Sequence, residues 1–334
     1  MVQRPHESNL TPDELTHTLQ HLPRGKAPGK SGLINELWIH ASPRCHELLR
    51  LLLNECLAHE DIPEDWKQSV IVPIPKTAEF TGNLDQLRPI ALLEATRKIL
   101  SAVLTRRLRM AIEQHQVLRG FNMGFRANRR ATDLAFAIQG LCEASHTAGK
   151  PIDLLSLDVR RAYDSVSLDT LQRSLRRIRV PEGYIRMLSN IHTGRSAHVL
   201  TAHGLTQPCA LASGLDQGEI NAPTLWLIVY DPLLCLLERS GKGVRLGDLV
   251  QDTEAMRKIH PDLRTKLDGK TIFGGAYADD LTLMASNRAD LQGLADICND
   301  WFEAQDNHLS TRRNRCTCHS TRRPNSSPKA APSS

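Results

Sequence analysis

Aromatic side chains make up only 4% of this 334-residue chain, so modules that bind RNA by stacking bases on exposed rings are a poor fit. Paired Cys-x-x-Cys clusters are absent too. The eight cysteines are scattered, which argues against a structural zinc site and fits free thiols in a reducing intracellular compartment, nuclear or cytoplasmic. No apolar run reaches the ~20 residues of a membrane span. The longest, LWLIVYDPLLCLL from Leu225, is interrupted by Asp231 and Pro232, and the amino terminus MVQRPHESNL lacks a signal-like apolar core. Neither secretion nor membrane insertion is expected. Bulk basicity is also missing from the body of the chain. Residues 305–334 hold six basic side chains (Arg312, Arg313, Arg315, Arg322, Arg323, Lys329) and one acidic (Asp306). Removing them from the 42 basic and 37 acidic residues of the whole leaves 36 of each sign. Binding to nucleic acid must therefore depend on where charges stand.

The length suffices for about two domains of ~150 residues. Thr11-Pro12-Asp13-Glu14 carries a helix start with a capping box, and Leu15, Leu19 and Leu22 mark its buried stripe. Residues 43–57 crowd Leu48, Leu49, Leu51, Leu52, Leu53, Cys56 and Leu57 over more than half a helix, which predicts burial on most sides. Ser69–Pro75 is β-branched and then stopped by prolines, as in an edge strand. Helices are expected over 94–114, 132–146, 167–178, 224–238 and 288–304. Ile152–Val159 reads as a buried strand ending near a carboxylate, and 271–273 and 281–285 as short apolar runs around a turn. Strands and helices do not alternate regularly, so the fold class is α+β. From Gln305 the apolar period ends, and the Arg-, Ser- and Pro-rich composition predicts a disordered tail. Its Cys316, Cys318 and His319 lack a spaced fourth ligand, so a solvated tail is the default over a zinc site.

The sharpest chemical feature is Tyr277-Ala278-Asp279-Asp280, which places two adjacent carboxylates at a turn. An acidic surface turn is the bland alternative. Asp158, at the end of an apolar strand, adds a third acid, and three hard oxygen donors suit Mg²⁺. A pair of such ions clamps the two oxygens of an in-line phosphoryl displacement. Against this stands the reading that Asp158 and Asp164 cap or flank the next helix.

Leu157–Val166 (LDVRRAYDSV) resembles the first palm motif of reverse transcriptases of non-LTR (LINE-like) retrotransposons, and Tyr277–Asp280 resembles their YxDD box. Between them, Ser213–Pro223 (SGLDQGEINAP) resembles the family's glycine-rich motif, usually close to RQGDPLSP. Upstream, Gly25–Gly29, Ile74-Pro75-Lys76, Leu87–Leu93 and Gly124-Phe125-Arg126 follow the order of the fingers motifs.

The resemblance implies a right-hand polymerase with fingers over 1–150, palm over 151–304 and a thumb missing or truncated. It implies an RNA-directed DNA polymerase that adds dNTPs to a DNA primer 3′-OH on an RNA template, using two Mg²⁺ ions, with Mn²⁺ an alternative. Asp158, Asp279 and Asp280 become the metal ligands and catalytic acids, with the Val159 carbonyl an additional oxygen. Tyr163 matches the bulky residue that crowds a ribose 2′-hydroxyl. A packed aromatic is its plain alternative. Gln217 and Gly218 match the pair that contacts nucleotide and template base, and Lys76 and Arg88 the triphosphate contacts, unless they are ordinary surface cations. Lys98, Arg106, Arg107 and Arg109 offer a basic helix face for a phosphate backbone or for solvent alone.

Departures from the family pattern are Asp216 where Arg is common, Ala222 where Ser is common, and Lys30-Ser31 in place of Pro-Asp. A strand with a Lys-containing turn and a thumb are expected after the last helix. Arg312-Arg313-Asn314-Arg315 stands there instead, so the chain reads as a fragment of a retroelement polyprotein, with its frame altered near 305. A non-catalytic RNA-binding relic is the rival reading. A nucleotidyl cyclase is disfavoured by the lack of a GG(D/E)EF signature.

Overall fold

The computed structural model describes residues 9–160, 162–250, 266–305 and 310–318. Helices α1 (Pro12–Gln20), α2 (Asn35–Ile39) and α3 (Pro43–His59) lead into strands β1 (Gln68–Pro75) and β2 (Leu87–Leu92), followed by α4 (Ala95–Gln114) and α5 (Ala131–Ala148). Strand β3 (Ile152–Arg160), helices α6 (Leu168–Arg177) and α7 (Glu182–Ile191), and short strands β4 (Arg195–Thr201), β5 (Gly204–Leu205) and β6 (Cys209–Leu211) come next. The chain continues through α8 (Ala222–Arg239), β7 (Val244–Arg245), β8 (Thr271–Ile272), β9 (Gly274–Tyr277), β10 (Asp280–Ala285), α9 (Arg288–Glu303) and β11 (Ser310–Cys318). Helices and mixed sheets in this order make an α+β fold.

Local chemistry explains most of the starts. Thr11 Oγ1 accepts from Glu14 N–H, and the Glu14 carboxylate accepts from Thr11 N–H, closing the capping box of α1 over buried Leu15 and Leu19. Ser167 caps α6 by accepting from Thr170 N–H at 3.1 Å, which removes Asp158 and Asp164 as its cap. Helix α8 runs through Pro232 with most of its side chains buried. Its Asp231 is satisfied by Arg119 N–H at 2.7 Å and the Arg177 guanidinium at 2.5 Å. Among the described residues, no helix is long and apolar enough to cross a membrane.

Three expectations change. Helix α3 buries Leu49, Leu53 and Cys56 but leaves Leu48, Leu51 and Leu52 exposed, because only one face meets α1. The helices enclosed on most sides are α4, with 12 of its 20 residues buried, and α8, with 13 of 18. Strand β1 is not an edge: it pairs antiparallel with β2 and parallel with β4. The β4 pairing ends at Ile71, before Pro73 and Pro75, so these prolines remove no donor from that side. This sheet runs β2-β1-β4-β5, with β6 on β4. Lastly, part of the tail expected to be disordered is strand β11, antiparallel to β3 from Ser310–Arg160 to Cys318–Ile152. Backbone pairing to an open strand edge needs no apolar period, which is why composition missed it. The Cys316 and Cys318 side chains, and residues 319–334 including His319, lie outside the described residues.

The second sheet runs β11-β3-β10-β9 and carries the acids. Beneath it, Leu155, Leu157 and Val159 of β3 and Leu281 and Leu283 of β10 join α6, α8 and α9 in the main core. Trp226 and Tyr230 are fully enclosed there.

Candidate active site

Period-two alternation decides where Asp158 points. Leu155, Leu157 and Val159 are buried, so Ser156 and Asp158 face the other way and are exposed. The β3–β10 register sets Asp280 directly opposite Asp158, which puts both side chains on that same face. Tyr277 pairs with Asp280, leaving Ala278 and Asp279 as a two-residue turn between β9 and β10. Ala278 has φ +60°, the left-handed value that the first central position of a II′ turn requires and that glycine usually supplies. Burial, reinforced by the charges of Asp280 and Asp158, holds the half-buried Asp279 carboxyl above its ordinary range. Burial, and then the Asp158 charge, does the same to Asp280. Two acids raised by burial and by neighbouring negative charge mark a site short of positive charge.

These acids border a cavity of about 1100 Å³. Asp158, Val159, Tyr163 and Asp279 line one side, Gln217 and Gly218 another, and Lys76 and Arg88 the side built by β1 and β2. Every site residue expected from the sequence lines this space except Asp280, which stands beside it across from Asp158. Tyr163 is half-buried with its ring 6.0 Å from that of Trp226, and burial followed by the nearby Asp279 charge pushes its phenol up to about 12. It is both packed and at the cavity wall. Arg88 is exposed on β2, and Lys76 N–H donates to Gln86 O at 2.8 Å beyond the end of β1.

The glycine-rich loop is fastened on two sides. Leu215 N–H donates to Tyr163 O at 2.8 Å, and Ala91 N–H of β2 to Gln217 O at 2.8 Å. Gly218 sits at φ +121°, where a Cβ would come within 2.6 Å of Ala91 O, so the close approach to β2 requires glycine. Asp216, the residue that departs from the family pattern, is buried and bridges Arg195 at 2.7 Å and Arg97 at 2.9 Å. Arg97 also binds Glu219 at 2.7 Å. Burial pushes the Asp216 carboxyl up, but Arg195 and Arg97 outweigh it and hold it below its ordinary value. This departure is a structural node under the loop. The basic face expected on α4 is not formed. Arg107 is buried and forks onto Glu14 at 2.9 and 2.7 Å, Arg109 donates to Thr224 at 2.7 Å, and burial lowers the ammonium pKa of half-buried Lys98.

Sequence reading missed Asn122, Trp226, Arg97 and Arg195, because each works through a contact far along the chain. The Asn122 carboxamide donates to Ala278 O at 3.1 Å and accepts from Ala278 N–H at 3.2 Å, while the Trp226 indole donates to Ala278 O at 3.1 Å. Asn122 stands only two residues before the Gly124-Phe125-Arg126 motif, which was the one signal available.

A strand and a hairpin turn bring Asp158 and Asp279 to one cavity, with Asp280 beside it and a glycine-bearing loop opposite. The chain belongs to the family described as reverse transcriptase (RNA-dependent DNA polymerase), whose profile matches residues 74–324. It is 26% identical over 302 residues to the "Transposon TX1 uncharacterized 149 kDa protein" of Xenopus laevis, covering 89% of this chain and 21% of that protein. It is 24% identical over 307 residues to the "RNA-directed DNA polymerase from mobile element jockey" of Drosophila melanogaster, covering 89% and 30%. Identity to the "Retrovirus-related Pol polyprotein from type-1 retrotransposable element R2" of Popillia japonica is 27% over 266 residues, covering 78% and 33%. Together these make it a reverse transcriptase domain of the non-LTR retrotransposon type. The chain spans a third or less of the length of these three relatives. The profile match extends into 305–324, the stretch that sequence composition assigned to a disordered tail.

Proposed function

We propose that this chain is the polymerising part of a retroelement polyprotein, an RNA-directed DNA polymerase that extends a DNA primer on an RNA template. The β1–β2 hairpin with α1–α5 acts as the fingers, and the β3-β10-β9 sheet with α6, α8 and α9 as the palm. The observation that carries this reading is the pairing of Asp158 with Asp280, Asp279 at the adjoining turn, at a cavity that Tyr163 and Gln217-Gly218 also line.

The donor set fits divalent cations by its chemistry: three carboxylates, two of them with pKa raised by burial and then by neighbouring acids, and hard oxygen throughout. Among the described residues, no three His, Cys, Asp or Glu side chains form a closed metal cluster. Asp158, Asp279 and Asp280, with the Val159 carbonyl, would hold the ions. A bound pair of Mg²⁺ or Mn²⁺ supplies charge neutralisation at the attacking and leaving oxygens of an in-line displacement.

The protein's own part is positioning. Lys76 and Arg88 hold the triphosphate, Arg88 by a fork of donors and Lys76 as a point charge. Gln217 and the open backbone at Gly218 seat the nucleotide against the template base. The Tyr163 ring fills the space a 2′-hydroxyl would need, so deoxynucleotides are preferred. The primer 3′-oxygen then bonds to the α-phosphorus as the bond to the bridging oxygen breaks, releasing pyrophosphate.

Primer extension on an RNA template with dNTPs and Mg²⁺ tests this reading. Asp279→Asn is expected to cut nucleotide addition about a thousandfold, with an unchanged circular dichroism spectrum. Wild-type-like extension by that variant, or RNA retention by the unaltered chain without any synthesis, overturns it.

A further inference from the structure

Ala278 is an L-residue in left-handed backbone directly before Asp279, a conformation that residues with a Cβ rarely adopt unaided. Both of its peptide groups are buried and both are met by one side chain. Asn122, 4% exposed, accepts from the Ala278 N–H and donates to the Ala278 carbonyl, the pairing one strand offers another. The same Asn122 oxygen accepts from Gly124 N–H at 2.9 Å, which fixes the orientation of the carboxamide. A Cβ on Gly124 would lie 2.3 Å from the Ala278 nitrogen, so the segment carrying Asn122 is seated against the turn as closely as glycine permits. That segment is itself locked to β9, with Ala276 N–H donating to Phe121 O at 2.8 Å and Met123 N–H to Ala276 O at 2.9 Å. On the far side, the fully buried Trp226 indole gives the Ala278 carbonyl a second donor.

We propose that Asn122 is a positioning residue for catalysis: it holds Ala278 in its left-handed conformation and so fixes where the Asp279 carboxylate stands relative to Asp158 and Asp280. The inference rests on the polymerase reading above for its catalytic consequence, but not for its metal-binding one. Asn122 touches neither nucleotide nor metal ligand, and its effect passes through the Ala278 backbone alone. Two consequences separate this role from general support of the fold. Loss of Asn122 weakens cation binding and turnover while leaving dNTP affinity unchanged, since Lys76, Arg88 and Gln217 are held by other elements. Glycine at 278 also compensates, because it adopts the left-handed conformation without a clamp.

The test compares the full chain with Asn122→Ala, Ala278→Gly and the double variant. Mn²⁺ binding is followed by electron paramagnetic resonance in the absence of substrates, and kcat and dNTP KM by primer extension. Asn122→Ala is expected to weaken Mn²⁺ binding and lower kcat by about tenfold each, with KM changed less than twofold, and the double variant to recover most of both losses. Should Asn122→Ala fail to fold, Trp226→Phe removes one donor to Ala278 and keeps an aromatic side chain there, with a loss of about threefold in the same two quantities expected. Unchanged Mn²⁺ affinity in Asn122→Ala, a double variant no better than the single, or no Mn²⁺ binding by the unaltered chain overturns the proposal. Normal Mn²⁺ behaviour in a chain that extends no primer counts against the polymerase reading instead and leaves the positioning role supported.

Discussion

Asp216 is where residue identity and surroundings most plainly explain each other. A carboxylate in a position commonly arginine in the family faces two buried guanidiniums, and Arg195 also donates to the Gly214 carbonyl at 2.7 Å. Removing the acid takes from buried Arg195 its carboxylate partner, while Arg97 keeps Glu219. Asp216→Ala is expected to cost about 3–5 kcal/mol in urea unfolding, and Asp216→Asn, which keeps the packing and an acceptor, less than that. His192, buried beside the same pair, is held neutral where Asp216 is held charged. Burial first, then the charges of Arg195 and Arg97, drive its pKa down to about 3. The unfolded chain therefore takes up a proton below about 6.5 that the folded chain refuses. Stability present above that pH is lost as pH falls through the window from about 6.5 towards 3, with a slope approaching 1.4 kcal/mol per pH unit from this residue. Urea unfolding at pH 7.5 and 5.5 checks this, with His192→Gln expected to flatten the difference.

Among the elements, β3 does the most. Its buried alternate residues anchor the sheet, its exposed face presents Asp158, its β10 side sets the register with Asp280, and its remaining edge pairs with β11. Truncation after Gln305 turns β3 into an edge strand within the sheet that bears the acids. Such a chain is expected to lose on the order of 2 kcal/mol of stability and to scatter more light at equal concentration, through pairing at the bared edge. Equal stability and solubility of the truncated chain would show that β11 contributes nothing. The exposed leucines of α3 teach a related lesson about elements: crowding of apolar residues along a helix fixes neither how many faces have neighbours nor which helix lies at the centre.

Across the whole molecule, the α+β class and eight of the residues that line the cavity were readable beforehand, from local patterns and short motifs: alternation in β3, the capping box of α1, the acid pair at a turn, the glycine-bearing loop. Partnerships over long separations were not readable. The parallel pairing of β1 with β4 spans more than a hundred residues and gave no sign in composition. The dispersal of Lys98, Arg107 and Arg109 to three different environments depends on which neighbours α4 meets. What the sequence alone determined is the set of chemical groups and the short-range geometry that backbone sterics and periodicity impose on them. Only the tertiary structure decided that Asp158 faces Asp280 across two strands, that Asn122 clamps the turn before Asp279, and that two arginines neutralise Asp216. Register and burial are properties of chain segments in contact, and no segment carries them by itself.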